Sequence, residues 1–109
     1  MIYELRTYTA NPGKAEALHS RFRDHTQGIF AKHGIVSVGY WVQTTPEDGA
    51  GDLVYLLAHP DRETADAAWT AFRADPEWNA ARDASERDGK LVANIVSQFL
   101  ESTDYSAMQ

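Results

Sequence analysis

His25 is the residue whose type and place most suggest chemistry. It falls in the apolar series Ala15, Leu18, Phe22, His25 and Ile29, spaced three, four, three and four, which is one face of an amphipathic helix. A histidine on that face is expected to point at the sheet. Its ring titrates near neutrality, so it could carry a proton, ligate haem or a metal, or anchor a polar substrate group. The structural alternative is a core histidine bonded to a carbonyl or a tyrosine. His59 stands beside Pro60 at the end of a strand pattern, where side chains often line clefts. Its alternative role is a hydrogen bond at a helix entry. His19 and His33 fall on exposed helix positions, and the four histidines show no HExxH or other tight metal spacing, so no metal site is expected.

Around these groups the sequence offers walls. Tyr3, Phe22, His59, Trp69 and Trp78 are the candidate lining of a small-molecule site between the first helix and the sheet, with Trp41 and Phe72 as further aromatic wall. Small-molecule sites are usually apolar hollows with a few polar groups. Core packing is the competing reading for the helix-spaced Trp69 and Phe72. Trp78, in a short third helix, could serve as a mobile cover. Glu4, Arg6 and Tyr8 alternate onto one side of the first strand, with Tyr3 and Leu5 on the other. Tyr3 and Leu5 suit a helix layer, which directs Glu4, Arg6 and Tyr8 to a dimer interior. Enclosed charges need partners, so Arg6 is expected to pair with Glu4 or with a carboxylate of a second subunit.

Other chemistries lack their parts. There is no cysteine, hence no disulfide, zinc–thiolate site or iron–sulfur cluster. No Gly-rich phosphate loop, GxGxxG or GxSxG elbow occurs, and no cofactor is expected. A net charge of -6 with no basic cluster argues against nucleic acid. No run approaches the roughly 18 apolar residues of a membrane span, and the start lacks a signal-peptide pattern. A cytoplasmic protein is the expectation.

The elements that must position these residues follow from the punctuation. Ile2 to Thr9 reads as a strand. Asn11 suits a helix N-cap with Pro12 at the first helical position, and Gly34 a helix stop. Gly28 weakens that helix and permits a bend. Ile35 to Thr44 and Leu53 to His59 read as a hairpin, joined by a turn from Thr45 to Asp52 carrying Pro46, Asp48, Gly49 and Gly51. Pro60-Asp61 opens a second helix, with Ala65, Ala68, Trp69 and Phe72 on one face. Asp75-Pro76-Glu77 opens a third, striped by Trp78, Ala81, Arg82 and Ser85 and ended by Gly89. Leu91 to Leu100 is the last strand. The order predicts an α+β, ferredoxin-like βαββαβ domain with a four-stranded antiparallel sheet over residues 1–101, then a C-terminal tail, 102–109.

Both faces of the strands want burial. In the third, Leu53, Tyr55 and Leu57 oppose Val54, Leu56 and Ala58; in the second, Val36, Val38, Tyr40 and Val42 oppose Ile35, Gly39 and Trp41. Helices cover one face. The expected cover for the other is the same face of a second copy, giving a homodimer.

The opening Tyr3-Glu4-Leu5-Arg6-Thr7-Tyr8, the Pro12-Gly13-Lys14 turn and the His33-Gly34 helix end resemble the NIPSNAP family, as does the stretch from Val54-Tyr55 through His59, Trp69 and Phe72 to Asp75-Pro76-Glu77-Trp78. The resemblance runs from Ile2 to about Leu100. It implies membership of the dimeric α/β-barrel superfamily, in which two ferredoxin-like units join sheet to sheet, and it carries no catalytic set across. Two functions remain in view. One is a pocket for a small apolar or aromatic metabolite between the first helix and the sheet; if catalytic, the class is cofactor-independent oxygenation or isomerisation, with His25 or a nearby tyrosine moving a proton. The other is a non-catalytic homodimeric protein-interaction module.

Overall fold

The computed structural model describes residues 1–45 and 52–109. The elements run β1 (Ile2–Ala10), α1 (Ala15–Arg21), a π-helical turn (Phe22–Thr26), α2 (Gln27–Lys32), β2 (Val36–Trp41), β3 (Leu53–His59), α3 (Arg62–Ala74), α4 (Pro76–Ser85) and β4 (Val92–Glu101). The segments from 15 to 32 form one continuous rod. The strands make an antiparallel sheet in the order β2-β3-β1-β4. This is the predicted ferredoxin-like arrangement. The turn residues Pro46, Asp48, Gly49 and Gly51 lie outside the described residues.

Local chemistry explains most boundaries. The Asp61 carboxylate accepts from the Thr64 N–H at 2.7 Å and caps α3. Asp75 accepts from the Glu77 N–H at 2.8 Å and caps α4, with Pro76 at the first helical position. The first rod starts later than Asn11 predicts. Residues 11–14 form a turn with Gly13 at φ +76°, a conformation that stops a helix from beginning there. Asn11 instead ties the turn to the approach of β4, through its side chain to the Lys90 carbonyl and its backbone N–H to the Leu91 carbonyl, both 2.8 Å.

The core fills the space between helices and sheet. Leu18, Phe22, Ile29 and Phe30 from the first rod, Trp69 and Phe72 from α3, and Leu53, Tyr55 and Leu57 from β3 are all buried. In β3 the alternation behaves as expected: Leu53, Tyr55, Leu57 and His59 are buried, while Val54, Leu56 and Ala58 are half-covered on the opposite face.

Two facings differ from the sequence reading. In β2, strict alternation predicts Val36 and Tyr40 on one face. A bulge between Ser37 and Gly39 shifts the register, so Val36 pairs with Ala58 on the open face while Tyr40 pairs with Tyr55 under the helices. One extra residue in a strand reverses every side chain beyond it. In β1, Glu4, Arg6 and Tyr8 pair across to Leu57, Tyr55 and Leu53, the helix-covered set. They lie beneath the helices rather than toward a second subunit.

The helix-free face carries Leu5, Thr7, Val54 and Leu56, with Val36, Trp41, Val96 and Leu100 exposed on it or at its margins. The Trp41 indole lies over Gly39, so close that a Cβ there would stand 2.7 Å from the ring. The tail returns to this side of the molecule: the Tyr3 hydroxyl donates to the Gln109 carbonyl at 2.6 Å.

Candidate functional site

Two polar features sit between the helices and the sheet. The first is centred on Glu4. Its Oε1 accepts from Trp69 Nε1 at 2.8 Å and bonds His59 Nε2 at 3.0 Å. Its Oε2 accepts from Arg6 Nη1 at 2.9 Å and Ser97 Oγ at 2.8 Å. Four partners from β1, β3, α3 and β4 thus satisfy a carboxylate that is 1% exposed. Burial alone would raise its pKa, but the hydrogen bonds from Trp69, Arg6 and Ser97 outweigh burial and hold it lowered.

Arg6 has its other nitrogens on the Tyr8 hydroxyl, at 3.1 and 3.3 Å, and its guanidinium stacks 4.2 Å from the Trp69 ring. Tyr8 shares a 2.8 Å hydrogen bond with Tyr55. Burial works against the Arg6 charge, yet Tyr55, Tyr8 and Glu4 more than offset it. The sequence left open whether Arg6 meets Glu4 or a second subunit; within the chain it meets Glu4. A groove of about 380 Å³ beside β4 reaches this cluster between Arg62, Arg73 and Phe99. Every oxygen of Glu4 is already engaged, which marks the cluster as a structural brace.

The second feature is a cavity of about 160 Å³ between the first rod, α3, α4 and the β1–β4 side of the sheet. Six rings line it: Tyr8, Phe22, Phe30, Trp69, Phe72 and Trp78. Phe72 and Trp78 lie with centroids 4.8 Å apart, and Phe30 and Phe72 4.9 Å apart. Val92 and Ile95 of β4 complete the apolar wall, and Arg21, Thr26, Arg82 and Glu86 supply polar groups.

Two of those polar groups are anomalous. Arg21 Nε and Thr26 Oγ1 are buried without a hydrogen-bond partner, the two such side-chain atoms among the described residues. Thr26 is 2% exposed and Arg21 6%. Leaving a buried polar atom unpaired costs about 1–3 kcal/mol, more when it is charged, and native structures rarely tolerate it without a reason. Arg21 Nη1 is engaged elsewhere. It donates to Ser85 Oγ at 3.2 Å and lies 3.5 Å from Glu86 Oε2, while the guanidinium sits 5.1 Å from the Trp78 ring. Burial pulls the Arg21 pKa down, and Glu86 and Tyr8 only partly restore it.

The π turn sets this arrangement. The Gln27 N–H donates to the Phe22 carbonyl, five residues back, so the turn holds one residue more than an α-helical one. In a regular α-helix, Arg21 and Thr26 would stand about 140° apart. With the wider turn, Arg21, Phe22 and Thr26 all face inward. Single π turns recur at functional sites. The same turn corrects the position of His25. The α-helical spacing directs it to the sheet; the inserted residue gives that inward place to Thr26, and His25 is exposed beside Asp24 and Ala84 on the outer side.

Of the other sequence candidates, Phe22, Trp69 and Trp78 meet at the cavity. His59 belongs to the Glu4 brace. Tyr3 is on the opposite face with the tail, and Trp41 is exposed there too. Arg21 and Thr26 are not legible in the sequence, because an α-helical wheel places them off the apolar stripe and no sequence signal marks the π turn. A further hollow of about 210 Å³, between His19, Arg23, Gln27 and Tyr40, is more open and has no unpaired buried atom among its described walls. Among the described residues no group of His, Asp and Glu could hold a metal ion, and no helix is long and apolar enough to cross a membrane.

Comparisons with known proteins agree with this architecture. A NIPSNAP domain protein from Burkholderia xenovorans is 24% identical, covering 97% of this chain and 98% of its own, with a TM-score of 0.81. A NIPSNAP family protein from Agrobacterium tumefaciens is 18% identical, covering 99% and 98%, with a TM-score of 0.84. A second from the same bacterium is 24% identical, covering 100% and 94%, with a TM-score of 0.81. No curated protein matches the sequence. The NIPSNAP family model matches residues 3–107, nearly the whole chain, and the chain belongs to the NIPSNAP family.

Proposed function

We propose that this NIPSNAP domain binds a small, single-ring metabolite in the cavity between the first rod, α3, α4 and the sheet. The observation that carries the reading is an aromatic-walled hollow of about 160 Å³ inside an otherwise closely packed cluster. An apolar cavity of about 150 Å³ is enough to take up benzene, so the space suits one ring and little more. Binding is favoured over cofactor-independent oxygenation or isomerisation. His25, the expected proton carrier, stands outside the cavity, and the Tyr8 hydroxyl on its wall is already engaged with Arg6 and Tyr55.

Phenol is a suitable neutral probe. At one hundred times its Kd it should stabilise the fold by about 2.7 kcal/mol, a rise of roughly 10 °C or more in Tm for a domain of this size. The cavity-filling variant Val92→Phe should abolish the shift while leaving the far-ultraviolet dichroism intact. No shift in the unmodified protein, or an equal shift in the filled variant, refutes the reading.

We further propose that the helix-free face meets the same face of a second copy. Val36, Trp41, Val96 and Leu100 are each 43–58% exposed, and a contiguous apolar patch of this kind marks an interaction surface. Two-fold pairing covers it with itself. The non-catalytic interaction module has the same surface to offer, and a second copy needs no further partner. Sedimentation should give a dimer that Trp41→Lys with Val96→Lys converts to folded monomer. A monomeric unmodified chain at micromolar concentration overturns this.

A further inference from the structure

Two residues that line the cavity, Arg21 and Thr26, each hold a buried atom without a partner, and those atoms bear on what kind of ligand it takes. Arg21 Nε is a donor only, since a guanidinium has no acceptor. A ligand atom facing it must therefore accept a hydrogen bond. Thr26 Oγ1 can donate to the same ligand, and the π turn brings both residues to the inner face one turn apart. The ring stack of Phe72 and Trp78 on the same wall offers an apolar seat for the rest of the molecule.

Charge narrows the class further. Arg21 is a buried cation whose carboxylate neighbour, Glu86, lies 3.5 Å from Nη1. Nε itself has no hydrogen-bond partner. Arg82, also on the wall, is turned to Asp83 at 3.2 Å. A carboxylate on the ligand would supply the missing acceptor and add negative charge beside a cation that Glu86 only partly offsets, and guanidinium–carboxylate pairs are among the stronger hydrogen-bonded contacts. The hollow has room for one ring.

From these observations we infer that the ligand is a monocyclic aromatic carboxylate, its ring among Phe22, Phe72 and Trp78 and its carboxylate on Arg21 Nε and Thr26 Oγ1. The inference rests on the cavity being a ring site, as proposed above. It requires no covalent step.

Titration calorimetry with benzoate and its neutral isostere benzamide tests it on the full chain. Benzoate should bind at least tenfold more tightly than benzamide. Thr26→Val removes the hydroxyl while keeping the shape, so it should weaken benzoate at least fivefold, yet leave the ligand-free Tm unchanged or higher because an unpaired buried atom has gone. Arg21→Lys keeps the charge but withdraws the Nε donor, and should also weaken benzoate. Equal binding of benzoate and benzamide, with phenol still bound, overturns the carboxylate inference and leaves the ring site standing. Failure of phenol, benzoate and benzamide alike overturns the ring site and this inference with it. Unchanged benzoate affinity in Thr26→Val removes the threonine from the site and overturns the inference as stated.

Discussion

The Glu4 brace allows a quantitative test of what holds the helix layer to the sheet. Replacing Glu4 with alanine removes the common acceptor of Arg6, Trp69, His59 and Ser97. Ser97 lies near the surface and can turn to water, but Arg6 and the Trp69 N–H stay buried. Removing one partner of a buried ion pair costs about 3–5 kcal/mol. A domain of this size has about 5–15 kcal/mol in all, so the variant should fold but weakly. With a urea slope of about 1.5 kcal/mol per molar, a loss of about 4 kcal/mol lowers the midpoint by about 2–3 M. The exposed Arg62–Asp66 pair, 62% exposed on both sides, is the internal control. Asp66→Ala should cost about 0.5 kcal/mol or less.

The effect also carries a pH signature. The pKa of Glu4 is lowered in the folded chain from an ordinary value of 4.5. Its stabilising contribution is therefore complete above about pH 4.5 and is lost as pH falls through the lowered folded value. The gap between the unmodified chain and Glu4→Ala should be constant from pH 7 to 5 and narrow below 4.5. Urea titrations at fixed protein concentration, at pH 7, 5 and 3.5, measure it. A midpoint shift at pH 7 no larger than that of Asp66→Ala, or a gap that widens in acid, would refute the reasoning.

Two further outcomes follow from the packing. Phe30, 1% exposed and in ring contact with Phe22, Tyr55, Trp69 and Phe72, joins the first rod to α3. Phe30→Ala should cost about 3–5 kcal/mol by urea denaturation. Asp75 caps α4 and also holds Lys32 Nζ and His33 Nε2, each at 2.7 Å. Those bonds, with the Glu77 N–H, hold its carboxyl well below the usual aspartate range. Its contribution therefore persists into acid, fading only below the range where free aspartate titrates. Asp75→Ala should lower the urea midpoint at pH 7, and an unchanged midpoint there would contradict the assignment.

Element order was readable because the punctuation is chemically specific. Asp61 and the Asp75-Pro76 pair offer the carboxylate acceptors, and Pro76 the fixed φ, that begin helices, and both do so. Facing was harder. Tyr3 and Leu5 look better suited to a covered layer than Glu4 and Arg6, and transfer energies alone favour that choice. What reverses it is a set of donors far away in sequence: Trp69, His59 and Ser97 converge on Glu4 only after folding. A local pattern contains no trace of that convergence. The bulge in β2 and the π turn in the first rod defeat periodicity in the same manner. Each inserts one residue, and Tyr40 in one case and His25 and Thr26 in the other change face, while Ile29 keeps its expected place in the core.

The distribution of charge over the two faces of the sheet has a physical reason. Glu4 needs four partners arranged around its two oxygens, and a single chain can supply them from three strands and a helix in one fixed geometry. Only groups near a two-fold axis meet their own copies, so a charge there would face a like charge, at a cost that grows as water is excluded. Apolar side chains meet their copies with no such penalty. A sheet with its ionic cluster beneath its own helices and with Val36, Val96 and Leu100 on or beside its open side is therefore suited to self-association. The same division leaves the ring-lined cavity wholly within one chain, so each copy would carry a complete site, and the proposed binding of benzoate should be equally strong in the unmodified protein and in the Trp41→Lys, Val96→Lys variant.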